Sequence, residues 1–283
     1  MLRRTTAIAA VALAVLASCG SDDDTADPSS TTTTPEVEST TSTAPPEPLV
    51  ILVTNDDGIG APGIDALVNI LAELEEVELV VVAPAENQSG TSDRTTPGGA
   101  SYSAGATASG VEGTAVAGFP ADTIAVALDE LGLEPDVVVS GINEGQNTGP
   151  LAFISGTVGA ARTAARRGIP AVAGSAGLGE GADYASAVAF VVEWIEEHRA
   201  ELLSGGAATD TITSFNVLDC TAGDPKGDVL EVALASAFLE GVEPFTSDCT
   251  LEPATAPTDD VAALAAGFAA ETQVPLEAPV ASS

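Results

Sequence analysis

Short apolar runs alternate with stretches of helical periodicity along the chain after residue 48. The apolar runs are residues 49–54, 78–83, 136–140, 169–173 and 211–217. Such continuous runs are typical of strands that are buried on both faces of a sheet. Apolar residues with helical spacing lie between the runs and begin near residues 61, 120, 157 and 184. Strands that alternate with helices predict an α/β fold with a doubly wound, mostly parallel sheet.

The pattern is weaker in three places. Residues 86–99 form a long polar loop, and residues 102–117 favour a hairpin. Beyond Cys220 we expect only short strands and loops before a final helix near residues 259–268, that is, a short irregular C-terminal extension.

The N-terminus has the features of a secretory signal. Arg3 and Arg4 precede an apolar stretch at residues 7–16 that is too short to span a bilayer comfortably. Leu16-Ala17-Ser18-Cys19 is similar to a bacterial lipobox, in which cleavage precedes the cysteine and Cys19 is lipidated. The alternative is an ordinary cleaved signal with an incidental cysteine.

The mature chain is expected to have a tether and one domain. Residues 20–48 are rich in Ser, Thr, Pro and Asp and predict a disordered tether, which reaches roughly 30 Å. Residues 49–283 are long enough for one sizeable α/β domain. We therefore expect an extracytoplasmic protein that contacts the membrane through its lipid anchor only.

The chain is strongly acidic. It has 42 acidic and 8 basic residues, a formal net charge of -34, and removal of Arg3 and Arg4 with the signal leaves 6 basic residues. So negative a field argues against binding of nucleic acid polymers. It also repels anionic substrates, so a phosphate site would need a metal, a helix N-terminus or local positive charge. The plainest function of the acidity is solubility.

Cys220 and Cys249 are the cysteines that remain after Cys19. Two cysteines in an exported domain are expected to form a disulfide, here closing a loop of about 30 residues. No third soft ligand lies near them in sequence, which argues against a metal site.

Polar residues follow several of the predicted strands. Asp56 and Asp57 follow the first, Ser89 lies beyond the second, and Asn143 follows the third. Because open α/β sheets bind ligands at the carboxyl ends of their strands, these side chains are expected to face one edge. Carboxylate, hydroxyl and amide oxygens favour a hard cation such as Mg²⁺, Mn²⁺ or Ca²⁺ over zinc. Each of these residues alone is more often a turn former than a ligand, and it is their convergence on one edge that favours a metal site.

Two further segments bear on chemistry. Ser155-Gly156-Thr157 precedes a helix and predicts either an anion site or a plain N-cap. Arg162, Arg166 and Arg167 follow it and either soften the negative field there or form a solvated face paired with acids.

His198, the only histidine, lies at the polar end of a predicted helix and is expected to be solvated, which leaves little support for a Ser-His-Asp triad or histidine-bound zinc.

Taken in order, several motifs resemble the SurE family of metal-dependent survival-protein nucleotidases. The motifs are Asn55-Asp56-Asp57-Gly58, Ala61-Pro62-Gly63, Val82-Ala83-Pro84, Ser89-Gly90, Gly118-Phe119-Pro120-Ala121-Asp122, the segment at residues 136–143 and Ser155-Gly156-Thr157-Val158. The resemblance implies a Rossmann-like fold and metal-dependent hydrolysis of nucleoside 5′- or 3′-monophosphates, with Mg²⁺ or Mn²⁺ as cofactor.

The resemblance also implies roles for individual residues. Asp56, Asp57, Ser89 and Asn143 match the metal ligands, and Asp56 and Asp57 are the catalytic candidates. Asn147, Ser155, Gly156 and Thr157 match positions that line the phosphate site. The partner is thus a small nucleotide, and a homo-oligomer is compatible with the family because its C-terminal half builds an oligomer.

The chain departs from the family pattern at three places. Arg162-Thr163-Ala164 stands where a Glu-Gly pair is usual, Asp93-Arg94 replaces small polar residues, and the C-terminal half is shortened. These departures leave an alternative open, namely a non-catalytic lipoprotein that keeps the fold and binds a small ligand or metal.

Overall fold

The computed structural model describes residues 47–178, 182–227, 229–240, 245, 247–250, 252–253 and 255–278. The predicted signal, Cys19 and all but the end of the tether lie outside the described residues. Within the described part of the chain, no helix has both the length and the apolarity to cross a bilayer.

A nine-stranded sheet forms the centre of the domain. Its strands, with those of a separate two-stranded sheet, are β1 (Leu49–Thr54), β2 (Val77–Pro84), β3 (Ser101–Ala106), β4 (Glu112–Ala117), β5 (Val137–Glu144), β6 (Ala171–Ala176), β7 (Thr211–Asn216), β8 (Cys220–Ala222), β9 (Val229–Glu231), β10 (Ser247–Asp248) and β11 (Ala269–Pro275). The order across the large sheet is β3-β4-β2-β1-β5-β6-β7-β11-β9, and β10 pairs with β8. Of the strand pairs in the described part of the chain, only β3–β4 and β7–β11 are antiparallel. The predicted α/β fold with a mostly parallel sheet is confirmed.

Among the described residues, five α-helices flank the sheet. They are α1 (Pro62–Leu71), α2 (Pro120–Ala125), α3 (Gly156–Arg166), α4 (Tyr184–Leu203) and α5 (Asp260–Ala265). A π-helical turn at Val126–Glu130 continues α2, and a 3-10 turn at Gly149–Phe153 precedes α3. The first two helices begin with proline, whose fixed φ suits the first helical turn.

Alternation along β1 explains the two layers of helices. Leu49, Ile51 and Val53 pack into a cluster with residues of α1 and α4, whereas Leu52 packs into a cluster with residues of α2 and α3. All four side chains are fully buried. Successive residues of a strand point to opposite faces, so a continuous apolar run is what a strand covered on both sides requires.

The structure differs from the sequence pattern at two strands. β5 continues to Glu144, so Asn143 lies within a strand rather than in a loop after it, and the pairing with β6 shifts register between Ser140 and Asn143. β11, which follows the final helix, was not predicted and pairs antiparallel with β7. The hairpin expected in residues 102–117 is present as β3 and β4.

Cys220 and Cys249 form a disulfide, which links the two short strands β8 and β10 across 29 residues of sequence. Cys249 also packs with Leu218, Leu264 and Ala270 in a small third core cluster. The cross-link therefore secures the C-terminal part of the domain against the end of β7.

Candidate active site

The polar residues singled out in the sequence meet at one edge of the sheet. β2, β1, β5 and β6 are neighbouring parallel strands, so their carboxyl ends lie side by side. Asp56 and Asp57 follow β1, Ser89 lies in the loop after β2, and Asn143 lies near the end of β5. The start of α3 packs against this edge, which is where open α/β sheets bind ligands.

Asp56 is the buried centre of this arrangement, with 2% of its surface exposed. Its carboxylate accepts hydrogen bonds from Thr157 Oγ1 at 2.5 Å and from Gly156 N at 3.2 Å. Burial raises the pKa of Asp56, and the hydrogen bonds from Thr157 and Gly156 offset only part of that effect. The backbone carbonyl of Asp56 accepts from Gln88 N at 2.7 Å, so this one residue joins β1, the loop after β2 and α3.

The glycine of the Ser-Gly-Thr segment is required by close packing. A Cβ atom built on Gly156 would lie 2.7 Å from the Asp56 Cβ and 2.9 Å from Pro120 Cγ. Only glycine lets the first turn of α3 approach the carboxylate closely enough for its N–H group to donate to it.

Asp57 lies in different surroundings from its neighbour. Its carboxylate accepts from Glu144 N at 3.0 Å and from Asn87 Nδ2 at 3.0 Å. Burial raises the pKa of Asp57 to about 6, the Glu144 N–H lowers it, and the charges of Asp56 and Glu144 raise it further. The negative charge of Asp56 thus disfavours ionisation of Asp57, an effect that a nearby cation would relieve.

Two adjoining cavities open at this edge. The first, here called the Asp56 cavity, has a volume of about 270 Å³. Its lining comprises Asp56, Ser89, Gly90, Asn143, Glu144, Gly145, Gln146, Asn147, Leu151, Ile154, Ser155, Leu178 and Phe245. The second, the Asp57 cavity, has a volume of about 360 Å³, and Asp57, Asn87, Glu144 and Tyr184 are among its lining residues. Glu144 lines both cavities. Three of the four predicted metal ligands thus share one cavity, and Asp57 faces the other.

Asn143 presents its amide oxygen towards the site. Its Nδ2 donates to Gly145 O at 2.6 Å, and its Oδ1 lies 3.3 Å from Thr157 Oγ1. Because the nitrogen is engaged by the backbone, the oxygen is the atom available to a ligand, as a metal-binding asparagine requires.

Asn147 is held by two strands that the sequence did not implicate. Its backbone N donates to Asn216 Oδ1 at 2.6 Å, and its Nδ2 donates to Ser175 Oγ at 3.0 Å. One N–H of the Nδ2 group remains for a ligand in the Asp56 cavity. Asn216 at the end of β7 and Ser175 in β6 are therefore supporting residues, and their place at strand ends was the only signal for them.

Of the two roles predicted for Ser155, the structure shows the N-cap. Its Oγ accepts from Val158 N at 3.1 Å, which makes it the N-cap of α3, and the residue also lines the Asp56 cavity. A hydroxyl that caps a helix still has its proton to donate, so the cap leaves Ser155 able to bind an anion.

The three arginines after this segment line neither cavity. Arg162 is 2% exposed and pairs with Asp93 at 3.3 Å, and Arg166 pairs with Asp93 at 2.9 Å. Arg167 pairs with Asp129. Pairing with acids is as expected, but Arg162 is not solvated.

His198 is partly buried rather than solvated, because its ring stacks on Trp194 at 4.6 Å and its Nδ1 lies 2.8 Å from Trp194 O.

Asp260 is a site-supporting residue that sequence reasoning missed. It is fully buried, and its two oxygens accept from Gly149 N and Ala235 N, both at 2.8 Å. Gly149 starts the 3-10 turn two residues after Asn147. The C-terminal part of the chain thus fixes the loop that carries Asn147, and burial raises the pKa of Asp260.

The Asp56 cavity has a negative lining. None of its described lining residues is Lys, Arg or His, while Asp56 and Glu144 are both acidic. Within the described residues no three His, Cys, Asp or Glu side chains cluster as a metal site would. A cation in this cavity would accordingly depend on Asp56 together with neutral oxygens from Ser89 and Asn143, a set suited to a hard ion, while Asp57 faces the adjoining cavity.

Comparison with known proteins places this geometry in a family. A sequence profile described as "Survival protein SurE" matches residues 51–235. The "5'-nucleotidase SurE 1" of Burkholderia lata is 35% identical over 244 residues, covering 80% of this chain and 90% of that protein. The "5'-nucleotidase SurE" of Chlorobaculum tepidum is 40% identical over 182 residues, covering 62% of this chain and 66% of that protein.

A solved structure agrees with these matches. The crystal structure of the SurE protein from Aquifex aeolicus superimposes with a TM-score of 0.60 at 26% identity, covering 81% of this chain and 94% of that chain. The profile spans more than half of the residues and includes both aspartates, Ser89, Asn143 and the start of α3. This chain belongs to the SurE family.

Proposed function

We propose that this chain is a divalent-metal-dependent phosphomonoester hydrolase that acts on nucleoside 5′- or 3′-monophosphates. Two relatives carry the name 5'-nucleotidase. The observation that carries the proposal is the Asp56 cavity, where acidic and neutral oxygen donors face a helix N-terminus without a basic side chain among the described lining residues.

The charges around this cavity support a bound cation. A phosphomonoester dianion would meet Asp56 and Glu144 there, and like charges held this close repel strongly. The donors that line the cavity are carboxylate, hydroxyl and amide oxygens, which fit Mg²⁺ or Mn²⁺. A bound divalent ion would neutralise phosphate charge and lower the pKa of a water.

The chain's own groups can then perform the remaining steps. The Asp56 carboxylate orients a water and accepts its proton as the oxygen attacks phosphorus, a role for which burial has raised its pKa. The remaining N–H of Asn147 and the Ser155 hydroxyl stabilise the negative charge on the phosphoryl oxygens. The Gly156 N–H and the Thr157 hydroxyl donate to Asp56 instead and hold that carboxylate in place. The ester bond to the nucleoside oxygen breaks, and that oxygen takes up a proton from solvent to leave as an alcohol, while Asp56 returns its own proton to solvent.

The Arg162 departure gives little support to a non-catalytic protein. The Arg162 side chain pairs with Asp93 and stacks over the Phe153 ring at 5.3 Å, and it does not line the Asp56 cavity. The oxygen donors of Asp56, Ser89 and Asn143 all line the cavity despite the change at Arg162.

The test is hydrolysis of a panel of nucleotides by the full chain, stripped with a chelator and then supplied with Mn²⁺ or Mg²⁺. Turnover should need the added metal, and Asp56→Asn should lower kcat by about 100-fold or more. Asp57→Asn should weaken the response to metal. Asp210→Asn, at an exposed aspartate outside both cavities, is the matched control. Turnover in the chelated enzyme, or full activity of Asp56→Asn, would contradict the mechanism.

The proposal extends to location. We propose that Cys19 is lipidated and that the domain acts outside the cytoplasmic membrane, tethered by residues 20–48. The Cys220–Cys249 disulfide supports export, since disulfides persist in oxidising compartments. Cys19→Ser should move the protein from the membrane fraction to the medium or the soluble fraction, and retention of the variant with membranes would argue against a lipid anchor.

A further inference from the structure

The mouth of the Asp56 cavity carries two unusually exposed aliphatic side chains. Ile154 is 55% exposed and Leu178 is 49% exposed, and both line the cavity. They come from separate elements, since Ile154 lies between the 3-10 turn and α3, whereas Leu178 follows β6. Exposed aliphatic surface from two segments at one cavity indicates contact with an apolar group of a ligand.

The glycine at position 145 accommodates the Leu178 side chain at the mouth of the cavity. Its Cδ2 would lie 3.0 Å from a Cβ built on Gly145, and Gly145 has a φ of +110°. The absence of a side chain at Gly145 leaves room for Leu178 beside Asn143, near the end of β5, and the loop that holds Asn147. The aliphatic surface is thus placed beside the polar floor of the cavity rather than remote from it.

Gln146 supplies an independent sign of a ligand in the same place. It is 2% exposed, it lines the cavity, and its Oε1 has no hydrogen-bond partner among the described residues. A buried amide oxygen without a donor is costly, and few remain unpaired in native structures. A ligand that brings an N–H group into the cavity would satisfy it.

We propose that Ile154 and Leu178 contact the two faces of the substrate's nucleobase and that Gln146 accepts a hydrogen bond from the base edge. A nucleobase has flat apolar faces for the aliphatic side chains, and every common base carries at least one N–H donor on its edge. The phosphate then lies at the floor, towards Asp56, Asn147 and Ser155. This inference rests on the proposed function, because it assigns the remainder of that same substrate.

The test compares two substrates that share the ester and the sugar and differ in the base. The full chain is assayed with Mn²⁺ on adenosine 5′-monophosphate and on ribose 5-phosphate, and the ratio of the two kcat/KM values is the readout. In Leu178→Asn, Ile154→Thr and Gln146→Leu the ratio should fall by about 5- to 10-fold. Leu203→Asn is the matched control for Leu178, because Leu203 is 43% exposed at the end of α4, outside the cavity, and its ratio should not change.

The outcomes separate the two levels of the proposal. If the wild type hydrolyses both substrates equally well, or the variants lower both values in parallel, the base contact is wrong and the phosphatase stands. If no phosphomonoester is hydrolysed with metal present, the proposed function fails and the base contact fails with it. Because Ile154 and Leu178 are exposed, their variants should fold, which the thermal unfolding midpoint verifies.

Discussion

Asp56 and Asp57 are adjacent in the chain but lie in different surroundings. Asp56 is sealed against Thr157 and Gly156, whereas Asp57 is half-buried and bound by Glu144 and Asn87. The sequence predicted that both lie at the end of β1, since carboxylates after an apolar run mark a strand end. It could not predict that they face two cavities, because the partners of Asp57 come from residues 30 and 87 positions away.

The raised pKa of Asp57 predicts an unusual pH dependence of stability in the metal-free protein. The folded pKa of about 6 lies above the ordinary value of 3.8. The contribution of Asp57 to folding is therefore fully present below about pH 4 and is lost as pH rises through 6, which amounts to at most about 3 kcal/mol and less for a partly exposed carboxyl. The measurement is the free energy of unfolding from urea titrations between pH 4 and 7 in chelator.

Asp57→Asn separates this effect from the general acidity of the chain. The variant should lose less stability over that pH range than the wild type does, because the asparagine cannot ionise. Identical pH profiles for the two proteins would show that the Asp57 carboxyl titrates as in the unfolded chain.

Gly156 gives a second prediction at the scale of single residues. In Gly156→Ala the new Cβ must displace Asp56 or Pro120, which costs about 1–3 kcal/mol of stability and moves the carboxylate from its place. The activity is measured as kcat at a temperature well below the unfolding midpoint, where both proteins are folded. It should fall by more than the loss of stability explains. Gly206→Ala is the matched control, since Gly206 lies after α4 outside both cavities and its added Cβ would come no nearer than 3.3 Å to the surrounding atoms; equal activities of the two variants would contradict the packing argument.

A chain of contacts joins the loop at residues 86–99 to α3. Ser92 donates from its N to Ile154 O at 3.0 Å and from its Oγ to Phe153 O at 2.7 Å, and Arg162 donates to Ser92 Oγ and to Asp93. This loop carries Ser89. Two of the departures from the family pattern, Asp93 and Arg162, are thus partners of each other, which the linear sequence does not reveal.

Breaking this pair should loosen the loop. Partial burial acts to raise the pKa of Asp93, but Arg162 and Arg166 outweigh it and hold that pKa below its ordinary value. Asp93→Asn leaves Arg162 buried without a full counter-charge and should lower the free energy of unfolding by about 1–3 kcal/mol. This is less than for a fully buried ion pair, because Asp93 is partly exposed to solvent. Asp129→Asn, which breaks the exposed pair with Arg167, should cost less. Urea titrations of these two variants and of the double variant Asp93→Asn/Arg162→Met test this. The double variant should recover part of the stability that Asp93→Asn loses. No recovery would mean that Asp93 and Arg162 are not energetically coupled.

Elements with strong periodicity could be predicted from sequence, and those with small or polar inward residues could not. β1 was predictable because its first five residues are all Leu, Val or Ile. β11 was not, because its fully buried positions are Ala270, Thr272 and Val274, with Glu271 and Gln273 between them. Its identity as a strand depends on pairing with β7. Asp260 was missed for a related reason, since its role depends on Gly149, 111 residues away.

At the scale of the whole molecule, charge sets the approach of the substrate. The chain has a formal net charge of -34, and a nucleotide monophosphate is itself an anion. Most enzymes that act on phosphate esters gain from electrostatic attraction, which salt weakens. Here the field outside the cavity repels the substrate, so screening should help its approach.

Raising ionic strength from about 0.01 M to 0.15 M shortens the Debye length from about 30 Å to about 8 Å. With Mn²⁺ held at saturation, kcat/KM for a nucleotide should rise severalfold over this range while kcat changes little, because only the encounter is screened. An uncharged competitive ligand such as a nucleoside is the control, and its inhibition constant should be insensitive to salt. A fall of kcat/KM with salt would mean that positive potential at the cavity, from the bound cation and the start of α3, extends into solvent far enough to outweigh 42 acidic residues.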